Sequence, residues 1–298
     1  MAEQHSEHTA QQRAYRELAE IVAKEDAEID LTQAALLIAT IAYPDLDSAR
    51  YLTQLSELAQ RVRSVLALPS PAEMPELPDD IDPLAVITAM NTVLFEQEDF
   101  HGNYSDYYNP NNSFLNQVLE QKTGIPITLS LLYIEVGKRV GIQLDGIGLP
   151  FHFVVGCRLS DGNTWYIDPF ERGQLMSEQQ CRIHIRRLAG GKIRFHAHWF
   201  HPVTHKQLLI RMLTNLKNSY MHHENFPLAL AVCDRLVLLA PTVAQERRDR
   251  GIVHLQLKHY VRALYDLKAY TEMAPEAEDR KEMLEYIRTL RQTISMMN

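Results

Sequence analysis

The sequence predicts an α+β protein that is predominantly helical, with a small antiparallel sheet in the middle and α-hairpins at the C-terminal end. Three observations carry this prediction. Apolar residues recur every three to four positions through the first third of the chain. Short runs rich in β-branched and aromatic residues crowd into residues 143–168. In the last third a 34-residue period sets in, with Pro241 and Pro275 that distance apart and each preceded by Ala.

The elements follow in order. Residues 9–27 carry strong helix formers, and a second helix spans 31–42, with Asp30 as its N-cap and Pro44 ending it. Asp47-Ser48 can cap a third helix to Leu68, with Tyr51, Leu55, Leu58, Val62, Val65 and Leu66 on one face. Pro69, Pro71, Pro75, Pro78 and Pro83 then remove backbone donors and fix φ, so the segment is an extended connector. It is either a domain boundary or a strap across one domain. A small core from the N-terminal helices alone favours the strap.

Helical periodicity returns at Leu84, Ile87, Val93 and Leu94 and ends near Gln97. A polar, tyrosine-rich loop covers 101–113, after which Asn112 or Ser113 can cap a short helix through Leu119. Gly124-Ile125-Pro126 opens another helix that Gly141 closes. Strands are expected at 143–149, 151–157 and 164–168, with Ser160-Asp161-Gly162-Asn163 as the turn between the last two. A helix starting at Ser177, with Glu178 and Gln180 in its first turn, ends before Gly190-Gly191.

Composition narrows the functional classes. A chain of 298 residues suggests two domains, and 46% hydrophobic with 23% charged residues is the balance of a globular protein. A formal net charge of −8 disfavours phosphate backbones and anionic membranes, so neither nucleic acid nor membrane is an expected partner. Three cysteines without a CxxC pair fit a reducing compartment. The polar N-terminus lacks the form of a signal peptide, and no apolar run reaches ~18 residues. The expected location is cytoplasmic.

The 34-residue period has partners at the same offset: Ala229 with Ala263, Leu230 with Leu264, Phe226 with Tyr260. Small residues at that spacing are the tetratricopeptide (TPR) signature, with Gly251 and Ala263 at the close-approach positions of the second unit. Lys217 stands where the first unit would have its glycine. The basic run Arg247, Arg248 and Arg250, offset by Glu246 and Asp249, reads as an exposed helix face.

Chemistry concentrates in the middle. A hairpin over 158–162 pairs Cys157 with Asn163 and sets His152 opposite Asp168, on one face of the sheet. An aspartate beside an imidazole fixes its tautomer, the orienting half of a Cys-His-Asp triad. The nucleophile should lie at a helix N-terminus, where the dipole stabilises a thiolate. The helix is there, but Pro126 stands at its start.

Residues 103–130, NYSDYYNPNNSFLNQVLEQKTGIPITLS, together with PFHFVV (150–155), IDPF (167–170) and RMLTNLK (211–217), resemble the bacterial transglutaminase-like/TPR family, often described as invasion-regulator B homologues. The resemblance covers about residues 95–275. It implies a transglutaminase-like, papain-like core. In active members of that superfamily a G-x-C motif opens the helix and a G-I pair ends it about fifteen residues later. Gly141-Ile142 matches that end, and the nucleophile position falls on Pro126. The resemblance therefore carries the His and Asp roles to His152 and Asp168 and withholds the nucleophile, as the family generally does.

No other residue replaces it convincingly. Cys157 is an odd number of positions from His152 and faces the other side of its strand, and Cys181 and Cys233 read as small buried hydrophobes. Thr128 and Ser130 are more simply explained by capping and back-bonding, although Thr128 could line the cleft. The His152/Asp168 pair is then a buried structural hydrogen bond, a binding feature or a catalytic remnant. Tyr104, Tyr107 and Tyr108 form either a binding surface or a lid over the cleft. His196, His198, His201 and His205 lack a carboxylate or cysteine at a familiar ligand spacing, so no metal and no cofactor is expected.

The resulting division is 1–82 for N-terminal helices and strap, 83–203 for the core, and 204–298 for the TPR-like array. The function expected is non-catalytic interaction with an unidentified protein partner. The alternatives are an amide hydrolase or acyl transferase with a non-cysteine nucleophile, and a histidine-rich metal-binding or sensor protein.

Overall fold

A computed structural model describes residues 2–159 and 162–297, with side chains described from residue 11 onward. The expected turn residues Ser160 and Asp161 lie outside the described residues. Two compact units are present, Met1–Met212 and Leu213–Asn298.

In the first unit, α1 (Ala2–Val22) begins earlier and ends sooner than its periodicity suggests, and a 3₁₀ turn covers Asp26–Glu28. α2 (Leu31–Ala39) is capped by Asp30, whose side chain accepts from Gln33 N–H, and α3 (Ser48–Val65) is capped by Asp47. α4 (Pro83–Asn91) passes into a π-helical turn over Thr92–Gln97. The two-residue strand β1 (His101–Gly102) pairs in parallel with β2 (Thr123–Gly124), a bridge too short to announce itself in the sequence. Between them lies α5 (Leu115–Gln121), which Phe114 precedes without a side-chain cap. Asn112 cannot serve as that cap because its amide is committed elsewhere: it donates to the carbonyls of Asp106 and Tyr107 and accepts from Asn103.

α6 (Pro126–Val140) is the strut of this unit. It is buried along nearly its whole length and packs against α2, α3, α5 and the main sheet. Its buried Glu135 is partnered by Arg139 at 2.8 Å and by the Thr32 hydroxyl. The helix ends at Gly141, whose φ of 109° is the left-handed conformation that glycine adopts without strain.

Arg63 of α3 shows what the proline-rich segment does. It is fully buried, and its guanidinium donates to three backbone carbonyls, Pro69 and Met74 of the segment and Val140 at the end of α6, each at 2.7 Å. One planar fork thus ties α3, residues 69–74 and the carbonyl end of the strut.

The main sheet is antiparallel in the order β3 (Asp145–Ile147), β4 (Val154–Arg158), β5 (Thr164–Asp168), β6 (Gln174–Met176). β6 was not expected from the sequence. The β4/β5 register pairs Cys157 with Trp165, not Asn163, a shift of two residues from the expected pairing. A two-residue shift leaves every side chain on its expected face. Val154, Tyr166 and Met176 point to one face, where Cys181 and Ile185 of α7 (Glu178–Leu188) cover them. Ser177 and Gln180 form the capping box of α7.

α8 (His205–His222) leads into the second unit, which continues with α9 (Phe226–Leu239), α10 (Ala244–Gln256), α11 (Tyr260–Met273) and α12 (Arg280–Met297). Consecutive helices from α9 to α12 pack on one another, with Ala229 and Ala263 fully buried. A Cβ on Gly251 would lie 2.9 Å from the Leu267 side chain, so the α10/α11 approach needs glycine there. The basic run on α10 is not a solvated face. Arg250 bonds Asp266 of α11 and Asp234 of α9, and Arg248 bonds Asp279 before α12. Lys217 is buried, held at 2.7 Å by both Glu246 and Asp249 of α10. The helix faces that meet in this stack are lined by charges of opposite sign, which draws the arginines inward.

Replacing Arg63 with Lys keeps the charge and removes the planar fork, so at least one carbonyl loses its donor. The expected loss is about 2–4 kcal/mol of unfolding free energy, measured by urea denaturation.

Candidate functional site

Strand alternation sets the site. Residues of even number on β4 and β5 face α7, so Asp168, at the end of β5, points to that side. His152 lies two residues before β4, in the turn that leads into the strand, and diagonal reach brings its ring onto Asp168. His152 Nε2 and Asp168 Oδ2 are 2.6 Å apart, with both residues buried. The other carboxylate oxygen accepts from the backbone N–H groups of Phe170 and Glu171 at 3.1 and 3.3 Å. Asp168 is therefore fully committed, and it fixes the imidazole as an orienting carboxylate does.

The turn carrying His152 is strained. His152 N–H closes a four-residue turn onto the Leu149 carbonyl, with Pro150 second and Phe151 third. Phe151 has a φ of 62°, where type II turns ordinarily require glycine or asparagine. Its ring is 68% exposed. Arg211 holds the turn by donating to the carbonyls of Leu149 and His152 at 2.8 and 2.6 Å. A bulky, exposed aromatic in a left-handed conformation costs stability and gains no packing.

Aromatic residues rim the pair. The Phe170 ring is 6.2 Å from that of His152 and packs on Gly102, where a Cβ would lie 2.6 Å from it. Tyr104 packs on Phe170 at 4.6 Å and Tyr107 at 6.3 Å, while Tyr108 meets Tyr107 edge-on at 5.7 Å. All three tyrosines remain substantially exposed. Burial, with the neighbouring Glu171 carboxylate, pushes the Tyr104 phenol well above its ordinary value. Through Phe170 and Gly102, whose strand partner is Gly124, the His–Asp pair and the start of α6 lie in the same neighbourhood.

The start of α6 carries no cysteine. Pro126 is buried at the first helical position. The Thr128 hydroxyl donates to the Asn112 carbonyl at 2.6 Å and accepts from Ile125 N–H, so it caps the helix and joins it to the tyrosine loop. Ser130 is buried, with the Phe153 carbonyl 3.4 Å away. Cys157, Cys181 and Cys233 are buried and free. Burial raises the Cys157 thiol and pushes those of Cys181 and Cys233 up to about 12, so none is a thiolate near neutral pH.

A third side chain joins the pair. His184 on α7 places its ring 5.1 Å from that of His152. Burial, and then the His152 imidazole, hold its pKa below the usual histidine value. In the sequence it is a polar residue on an amphipathic helix. The usable signal was its position beside Cys181 and Ile185, which mark the sheet-facing side. The 196–205 histidines, by contrast, meet aromatic and backbone partners: His196 packs on His198 and Trp199, and His205 Nδ1 lies 3.0 Å from the Ile29 carbonyl.

A sheet backed by a buried helix, with a His–Asp pair at its end and helical repeats following, defines the class as a transglutaminase-like domain joined to tetratricopeptide repeats. The transglutaminase-like superfamily model matches residues 49–214 and the tetratricopeptide repeat model residues 216–288. A UPF0162 protein of Xylella fastidiosa is 36% identical over 258 residues, covering 86% of this chain and 88% of the relative. A UPF0162 protein of Vibrio cholerae is 27% identical over 65% of this chain and 72% of its own length. Human F-box only protein 21 is 37% identical over 138 residues, 44% of this chain and 21% of that protein. The chain belongs to the UPF0162 family of the transglutaminase-like superfamily. No solved structure matches it. Among the described residues, no helix is long and apolar enough to cross a membrane.

Asp168→Ala removes the acceptor for the imidazole and for two backbone N–H groups. At about 1–3 kcal/mol for each buried donor left unpaired, it should cost at least ~3 kcal/mol in chemical denaturation. A loss below ~1 kcal/mol means that the pair does not organise this end of the sheet.

Proposed function

We propose that this protein is a non-catalytic interaction protein whose transglutaminase-like cleft and tetratricopeptide array both serve as binding surfaces for a protein partner. The observation that carries this reading is Pro126 at the position where the superfamily's chemistry needs a thiol. The His–Asp pair beside it stays fully hydrogen-bonded. A general base and its orienting carboxylate have nothing to activate there, because the Thr128 hydroxyl is used in capping, Ser130 is buried beside the Phe153 carbonyl, and the thiols are buried and protonated. The retained machinery is then a rigid frame, and Pro126, Asp168 and His152 fix its shape.

Phe151 supports a binding role over a purely structural one. An exposed phenylalanine held in a left-handed turn next to His152 offers rigid aromatic contact area at low entropic cost, alongside the exposed Tyr104, Tyr107 and Tyr108. The charge of −8 favours a basic or neutral protein partner over nucleic acid or an anionic membrane. In this reading residues 1–82 brace the core, residues 83–203 form the cleft, and residues 204–298 form the second surface. F-box only protein 21 supports a modular use, since the matching stretch is about a fifth of that longer chain.

The test is Phe151→Gly. Glycine relieves the left-handed strain, so stability should be unchanged or higher by about 1 kcal/mol. Affinity capture of the protein's partner from its native cells should nevertheless fall at least tenfold, while His152→Ala abolishes no turnover because there is none to abolish. Undiminished capture by Phe151→Gly, or a His152-dependent amide hydrolysis or acyl transfer, overturns the proposal.

A further inference from the structure

His184 has no part in a triad remnant, yet it completes a set of ligands. The turn before β4 supplies His152, the end of β5 supplies Asp168, and α7 supplies His184. One ligating atom from each lies within 4.8 Å of the other two. We propose that His152, Asp168 and His184 form a binding site for one divalent transition-metal ion of the zinc class. This inference stands apart from the interaction reading, since its readout is the metal itself.

Two imidazoles and one carboxylate from three elements make a nitrogen–oxygen set that suits zinc and leaves one coordination position open. Metal–ligand bonds of about 2.0–2.2 Å put ligand atoms roughly 3–4 Å apart. Closing the set from 4.8 Å therefore needs a movement of about 1 Å. Half-buried His184 can supply it by side-chain rotation, and His152 Nε2 and Asp168 Oδ2, now 2.6 Å apart, separate by roughly 0.7 Å to admit the ion between them.

The surroundings already orient the ligands in the manner of a metal site. Phe170 and Glu171 N–H groups occupy Asp168 Oδ1, which leaves Oδ2 as the ligating atom. Arg211 fixes the turn that carries His152. On loading, the ion takes the place of the proton between His152 Nε2 and Asp168 Oδ2. That proton passes to Nδ1 or is released to solvent, and the Nε2 lone pair meets the ion. The bound ion would pin α7 to the sheet. The sequence drew attention instead to residues 196–205, and among the described residues those histidines do not assemble into such a set.

Full-length protein stripped with a chelator and dialysed is titrated with zinc chloride in a calorimeter. Cobalt(II) chloride is added to a second sample, followed by its visible d–d absorption. The wild type should bind one equivalent of zinc and give a cobalt spectrum that zinc erases. His184→Ala should weaken zinc at least tenfold and abolish the cobalt spectrum, while a His196→Ala/His198→Ala double variant should bind as the wild type does. Asp168→Asn should also lose binding, but if it does not fold, His184→Ala decides alone, because its partly exposed side chain is dispensable for the core. No saturable zinc binding, or equal binding by His184→Ala, overturns the site. Loss confined to the His196→Ala/His198→Ala variant does the same.

Discussion

The first unit is organised by one constraint: α6 is a helix buried along nearly its whole length, so every polar group on it must find a partner inside the protein. Each does so with an element distant in sequence. Glu135 meets Thr32 of α2, the Val140 carbonyl meets Arg63 of α3, the Tyr133 hydroxyl meets Asn91, and the Thr128 hydroxyl meets Asn112. These bonds locate the N-terminal helices, the proline-rich segment and the tyrosine loop around one axis. Proline suits the first turn of such a helix, where its missing N–H leaves no donor unsatisfied.

From that axis follows the character of the cleft. β4 and β5 turn their odd-numbered residues, among them Cys157, toward α6 and their even-numbered ones toward α7. Asp168 and His152 share the α7 side, held by hydrogen bonds rather than by packing alone. The result is an ordered polar cluster among aromatic residues. The second unit reaches order differently, through carboxylates and guanidiniums interleaved between helices, with Lys217 and Arg250 each bonded to two acids.

Much of this was legible in the sequence because it depends on local chemistry. Asp30, Asp47 and Ser177 cap the helices that their types and positions announce, and Gly141 ends α6 as a C-terminal glycine should. The pairing of His152 with Asp168 was legible through parity, which survives a register error of two. The register itself was not, since it depends on how many residues the β4–β5 turn consumes. Asn112 looked like a cap because asparagine favours caps, but long-range partners took its side chain first. The arginines at 247–250 looked solvated because their neighbours in sequence are acidic. Their partners Asp234 and Asp266 come from other helices and Asp279 from the turn before α12, which no local pattern reveals. The role of His184 emerges only once α7 is laid on the sheet.

The proposed binding role requires that the His–Asp frame have no nucleophile to serve. Intact-mass spectrometry of the native full-length chain, after exposure to chloroacetamide and fluorophosphonate probes at neutral pH, tests it most directly. With Pro126 at the head of α6 and every thiol buried and protonated, the mass of the folded protein should stay unchanged. A single stoichiometric adduct on the first unit that disappears in His152→Ala would contradict the account, because it would identify a residue that the imidazole activates.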